Sequence, residues 1–208
     1  MRRAVTLLIV LAVIVGGLAL VDHVVKDRVE SDIASRIESR DPGSHAKVTI
    51  TSFPFLGRLL VSGSVPEIQA DVTNVVAGDL TFSSIRLTVD DLKVDRNDLF
   101  SGKVKPLAIK HGRVVAEITQ ASVDSLLHQQ VVLQPGRIGL DGVDAPVSLT
   151  ISDGTLGFSV AGLPSLSLKI PVLDVLPCVG SARVVTGALR LTCRFSTLPS
   201  VLAGTTFG

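Results

Sequence analysis

Apolar residues recur every fourth position near the start of this chain and every second position through most of the rest. Val21, Val25, Val29, Ile33 and Ile37 form the first pattern, with Val24 and Ala34 beside them. Asp22, Lys26, Asp27, Glu30 and Arg36 fall elsewhere around the same turns, so the spacing predicts an amphipathic helix. Asp41-Pro42-Gly43 ends it, because Pro and Gly continue a helix only at a cost. Such a helix packs on its own domain's sheet or lies on a membrane surface, and the first is the expectation here. From residue 46 the period becomes two, in Ile68/Ala70/Val72, Ile85/Leu87/Val89, Val114/Ala116/Ile118, Val147/Leu149/Ile151, Leu156/Phe158/Val160 and Leu166/Leu168/Ile170. This is the alternation of half-buried strands. Asp153-Gly154 marks a hairpin turn, and His111-Gly112 and Asp141-Gly142 are further expected turns. One short helix interrupts the strands, capped by Thr119 or Ser122, with Val123, Leu126 and Leu127 inward. No fixed-period repeat is evident. The expected architecture is α+β: a long curved antiparallel sheet wrapping the N-terminal amphipathic helix, plus one short helix.

One stretch breaks the alternation. Val48 and Ile50 begin like a strand, but Phe53-Pro54-Phe55 and then Leu59-Leu60-Val61 follow. Pro54 removes a ladder donor and biases Phe53 toward an extended backbone, which suits an edge strand or a bend. Phe53 and Phe55 are then either core or an exposed apolar lip.

Ala4 to Val21 is uncharged for 18 residues and follows Arg2-Arg3. As a helix it would span about 27 Å, near the hydrocarbon thickness of a bilayer. It reads as a signal peptide or an uncleaved signal anchor, with the arginines cytoplasmic. The expected division is therefore residues 1–21 as the export segment and 22–208 as a single domain. That domain lies in the periplasm or on the outer face of the cytoplasmic membrane. The net charge of the 208 residues is +1, so no global field favours nucleic acid. Trp and Tyr are absent, which removes the usual stacking platforms for single strands. Charge is uneven: residues 41–100 hold eight acids and five bases, and residues 101–208 hold nine bases and six acids.

Catalytic chemistry is not legible. His23, His45, His111 and His128 have no metal-ligand spacing, and there is no phosphate-binding glycine loop and no G-x-S-x-G elbow. No cofactor, metal or enzymatic activity is expected. Asp90 and Asp91, with Asp95 and Asp98, read as a solvated turn rather than a carboxylate dyad. Lys103, Lys105 and Lys110, together with Arg58, are candidates to meet an anionic headgroup, or are ordinary edge-strand cations. Cys178 and Cys193 flank a strand–turn–strand pattern centred on Thr186-Gly187. In an oxidising compartment they are a plausible disulfide, contributing roughly 3 kcal/mol in the chain-entropy model.

The order of segments resembles a known family. "VTITSFPFLGRLLVSGSVPEIQADVTNV" is followed by "LTFSSIRLTVDDLKV", "GRVVAEITQASVDSLL" and "PVLDVLPCVGSARVVTGALRL". The chain is similar to the LmeA-like phospholipid-binding proteins of actinobacterial envelopes. The most recognisable signature is Ser52-Phe53-Pro54-Phe55-Leu56 with Gly63 after it. The resemblance implies binding of phospholipid, of phosphatidylinositol type, and support of envelope glycolipid and lipomannan assembly. It also implies a fold like tubular lipid-binding domains, and partners among membrane-bound glycolipid-synthesising enzymes. On this reading Ile85, Leu87, Val89, Val147, Leu149 and Ile151 line a trough for acyl chains, at roughly 0.8 kcal/mol per buried CH₂. Phe53, Phe55, Leu56 and Leu60 form its mouth. The competing reading is an envelope scaffold or accessory factor for a membrane enzyme that binds no lipid.

Overall fold

The computed structural model describes residues 21–39, 41–77, 80–95, 97–98, 105–140, 143–152, 155–160, 166–169 and 179–198. The N-terminal run before Val21, Lys103, Cys178, Asp141-Gly142, Asp153-Gly154 and Ile170 lie outside these residues.

The architecture is α+β, with antiparallel strands throughout both sheets. Helix α1 (residues 21–39) leads into β1 (His45–Ile50), helix α2 (Phe55–Ser62), β2 (Ser64–Ala77) and β3 (Leu80–Val94). Then come β4 (Pro106–Ala108), β5 (His111–Thr119) and helix α3 (Gln120–Leu127). Strands β6 (Val131–Gln134), β7 (Arg137–Leu140), β8 (Val143–Ser152), β9 (Thr155–Val160) and β10 (Leu166–Lys169) form a meander. The hairpin β11 (Val179–Val185) and β12 (Ala188–Phe195) completes the described chain. The strands divide into two sheets: a seven-stranded one ordered β1-β2-β3-β5-β12-β11 with β4 beside β3, and a five-stranded one ordered β10-β9-β8-β7-β6.

Strand register turns the period-two pattern into rows across the large sheet. Ile50, Ile68, Val89, Gly112 and Phe195 are successive partners, as are Val48, Ala70, Leu87, Val114, Cys193 and Gly180. Further along run Val72, Ile85, Ala116, Leu191 and Ala182, then Val75, Phe82, Ile118, Leu189 and Val184. One face is therefore apolar in four consecutive rows. The intervening rows are polar: Lys47, Asp71 and Arg86 in one, and Thr49, Gln69, Thr88, Arg113 and Arg194 in another.

The long β2–β3 ladder holds its apolar residues on one face by shifting the alternation twice. Inward positions run Val65, then Ile68/Ala70/Val72, then Val75 on β2, opposite Leu92, Val89/Leu87/Ile85 and Phe82 on β3. The changes of parity fall at Asn74 opposite Ser83 and at Pro66 opposite Asp91, residues that drop out of the pairing. Asn74 (φ 57°) and Asp91 (φ 50°) are left-handed there, a conformation that Asn and Asp tolerate better than most residues. A ladder interrupted in this way bends and twists, which gives the sheet its curvature.

Helix α1 closes the β1 edge through carboxylates. Glu38 Oε1 accepts from the Ala46 amide at 2.8 Å, and Glu30 Oε1 from the Ile50 amide at 2.5 Å. Asp22 accepts from Phe55 N at 2.8 Å and Leu56 N at 2.6 Å. Eight residues of helix rise about 12 Å and four residues of strand about 13 Å. Helix and strand therefore stay in step while running antiparallel. The carboxylates occupy amides that an edge strand otherwise offers to another chain. Asp22 also serves the first turn of α2, whose N-cap residue Pro54 makes no side-chain cap. Asp22 is buried. Asp22→Asn keeps one acceptor and loses the other with the charge. It is expected to destabilise the protein by about 1–3 kcal/mol and to speed amide exchange at Phe55 or Leu56; unchanged exchange would count against this capping role.

Several sequence expectations are met. Thr119 caps α3, its hydroxyl accepting from Ser122 N at 3.2 Å. Val123 is buried, with Leu126 and Leu127 packed on the core. Gly187 (φ 69°) makes the β11–β12 turn. Others are corrected. His111-Gly112 is not a turn but the start of β5: the chain runs on from β4 in the same direction along β3, with only a bend at Ile109-Lys110, where the Lys110 amide reaches Asp90 O at 3.0 Å. Gly112 is needed for close approach: a Cβ there would lie 2.2 Å from the Phe195 ring directly across the ladder. Asp90 and Asp91 are inside β3, not in a solvated turn. The segment after β1 is neither edge strand nor simple bend: past Phe53-Pro54 it coils into α2.

Candidate functional site

The apolar face of the large sheet is covered at both ends. At one end Phe55, Ile50 and Val65 form a core with Val25 and Val29 of α1 and Leu56 and Leu59 of α2. At the other, the five-stranded sheet and α3 bury Phe82, Ile118, Leu189, Leu133, Leu156 and Val131 in the main core. Strand β8 lies close on β11 there, and a Cβ at Gly180 would meet Ile151 Cγ2 at 3.0 Å. Between these ends Ile109, Val114, Cys193 and Phe195 form a third cluster. The three clusters are continuous, since Ile85 belongs to the margin of the main and middle ones and Leu92 to the margin of the middle and α2 ones.

Over β2 and β3 this face is not fully covered by the described residues. Ile68, Val72, Ile85, Leu87 and Val89 are all half-buried, while their register partners Val114, Ala116, Leu191 and Cys193 are buried. The result is a half-open apolar strip about three rows long with closed ends. Nothing in it carries charge, so its chemistry is that of a surface for hydrocarbon.

Of the residues proposed to line a trough, Ile85, Val147, Leu149 and Ile151 all pack at the margin of the main core, each half-buried. Leu87 and Val89 lie on the adjoining middle cluster. The mouth residues divide. Phe53 is 72% exposed and Leu60 47%. Leu56 is half-buried, and Phe55, at 4%, is core. Phe55 is therefore not part of an exposed lip, because the first turn of α2 points it at Ile50 and Val65.

Three of the four basic candidates are described, on α2 and beside the end of β3. Arg58 is exposed on α2. The helix ends at Gly63, whose carbonyl accepts from Val94 N at 2.8 Å, and the next residue, Asp95, donates to Lys105 O at 3.0 Å. Lys110 is exposed beside the end of β3. On the opposite, polar face, ion pairs join strands: Arg86 with Asp71, and Arg190 Nη2 with Glu117 Oε1 at 2.6 Å. Burial pushes the Asp71 carboxyl up, but hydrogen bonds from Gln69 and Arg86 and the charges of Arg86 and Lys47 outweigh it. The group sits below its ordinary range. Among the described residues no cluster of His, Cys, Asp and Glu is arranged to hold a metal ion. No described helix is long and apolar enough to cross a membrane.

The sequence pattern did not reveal α2 or the carboxylates of α1. The one signal for the latter was the spacing of Asp22, Glu30 and Glu38, eight residues apart.

The family model for LmeA-like phospholipid-binding proteins matches residues 16–202. This chain belongs to the LmeA-like phospholipid-binding family. The match runs through both sheets, so the apolar strip and its two covered ends fall within the shared region. No curated protein and no solved structure matches the chain. The LmeA-like family is a lipid-binding one, which agrees in chemistry with an uncharged, half-open strip.

Proposed function

We propose that this protein binds phospholipid with its acyl chains along the strip formed by Ile68, Val72, Ile85, Leu87 and Val89. On this reading Val147, Leu149 and Ile151 close the far end. The observation that carries the reading is the continuity of one apolar face from α2 to the second sheet, half-open in its middle. Acyl chains need area rather than specific polar partners, at roughly 0.8 kcal/mol per buried CH₂. The role is binding, without a catalytic step. Arg58, Lys105 and Lys110, with Lys103, supply cations for a phosphate headgroup, of phosphatidylinositol type on the family resemblance. The domain works outside the cytoplasmic membrane, held or exported by the run Ala4–Val21, and supports envelope glycolipid assembly beside membrane enzymes. Protease accessibility in intact spheroplasts tests the location. Cys178 and Cys193 are oxidised to a disulfide in that compartment, which intact mass with and without reductant reads directly; two free thiols would refute it.

The deciding experiment is lipid extraction and native mass spectrometry of the purified full chain. Stoichiometric phospholipid is the expected result. A chain that carries none and takes none up from vesicles leaves the scaffold reading in its place.

A further inference from the structure

Exposed bulk is unevenly placed on this molecule. Eight large apolar side chains are exposed among the described residues: Val21, Val24, Phe53, Leu60, Val61, Val76, Leu107 and Val132. Six of them belong to one end. Val21 and Val24 flank Asp22, which holds the start of α2; Phe53 precedes α2, and Leu60 and Val61 are on it. Leu107 is on β4, which pairs with the end of β3 next to the α2 C-cap. Only Val76 and Val132 lie elsewhere.

Helix α2 is apolar on two sides. Phe55, Leu56 and Leu59 face the core, while Leu60 is turned outward. Its only charged residue is Arg58, which is exposed. Leu60 and Val61 leave apolar surface on the uncovered flank of α2 beside the exposed Arg58, the mix of apolar and basic side chains found on helices that lie in a membrane interface. The same end receives the chain from the uncharged run Ala4–Val21. If that run sits in a bilayer, α1 begins at the bilayer surface, and α2 is tied to its first turn by Asp22.

We propose that this end of the molecule, built from the first turn of α1, helix α2 and β4, docks on a phospholipid bilayer, with Phe53 and Leu60 inserted at the acyl boundary and Arg58 among the headgroups. The proposal rests on the reading of Ala4–Val21 as a membrane segment. The docked end adjoins the α2 end of the apolar strip, which keeps the strip beside the bilayer.

The chain has no tryptophan, so Phe53→Trp introduces a single fluorophore. The full chain carrying F53W is reconstituted into phosphatidylcholine–phosphatidylglycerol vesicles, and V132W, at an exposed position in the second sheet, is treated alike. Flotation of both variants with the vesicles is expected; failure to float would overturn the anchoring reading and the docking with it. F53W emission is expected to be blue-shifted, shielded from acrylamide and quenched by lipids brominated along the acyl chain, and V132W emission to show none of these. Equal behaviour of the two variants in floating vesicles would overturn docking while leaving the anchor intact. The F53W signal is expected to persist when Leu87→Asp is added to empty the strip. Its loss there would assign the quenching to bound cargo and overturn docking.

Discussion

Leu87→Asp strips phospholipid from the purified protein, lowering lipid per chain by at least roughly tenfold. Leu87 is half-buried in the middle of the open strip, in register with Ala70 on one side and Val114 on the other. An acyl chain lying there would bury the new carboxylate without a partner. An unpaired charge in an apolar environment costs several kcal/mol, against about 1.4 kcal/mol for each tenfold in affinity. Without lipid the carboxylate remains partly solvated, so the fold is expected to persist with a modestly lowered melting temperature. Thr88→Asp is the matched control, because Thr88 lies in the polar row beside Arg113 on the other face. It should leave bound lipid unchanged. Phosphate analysis of extracted lipid per mole of protein, alongside thermal unfolding, checks both. Lipid retained at the wild-type level in Leu87→Asp would remove the strip as the binding surface.

The same residues show how far the sequence could be read. Ile85, Leu87 and Val89 alternate with polar neighbours, and the alternation alone identifies a strand with one apolar face. It does not say which strands lie beside it, and the four apolar rows emerge only from register. Nor does alternation foresee the two parity shifts at Asn74/Ser83 and Pro66/Asp91, because a left-handed residue inside a strand leaves no period of its own. The division into two sheets was hidden for a related reason: β8 and β3 carry the same pattern, and what separates them is packing of β8 on β11 at Gly180. Asp22 and Glu30 read as the wet side of an amphipathic helix. Their carboxylates instead cover amides of β1 and α2, a role set by the match of helical rise to strand rise across the fold. Of the basic candidates, Arg58 is exposed on α2, Lys105 and Lys110 lie where β4 and β5 run beside the end of β3, and Lys103 lies outside the described residues. The stretch around Pro54 misled for a physical reason. Phe55, Leu56, Leu59 and Leu60 do follow helical spacing, but eight residues give only about two turns in which to see it, and the proline before them reads as a break in a strand.

That stretch yields a paired expectation on stability. Phe55→Ser should destabilise the protein by about 3 kcal/mol or more, lowering Tm by on the order of 10 °C, whereas Phe53→Ser should stay within about 0.5 kcal/mol of wild type. The two phenylalanines flank one proline, yet one is 4% exposed and the other 72%. Phe55 is the plug between α1, α2 and the sheet, touching the cluster of Ile50 and Val65 with Val25 and Val29 behind it. Truncation there leaves a cavity and places a hydroxyl among aliphatic groups. The Asp22 bond to the Phe55 amide is backbone and survives the substitution, so the loss measures packing rather than capping. Phe53 has no such neighbours in these clusters, and its removal costs the fold little. Its cost is expected at the bilayer instead, as weaker docking of the α2 end with lipid in the strip retained. Calorimetry on the two serine variants separates the roles: equal losses of stability would place both rings in the core and remove Phe53 from the membrane-facing surface.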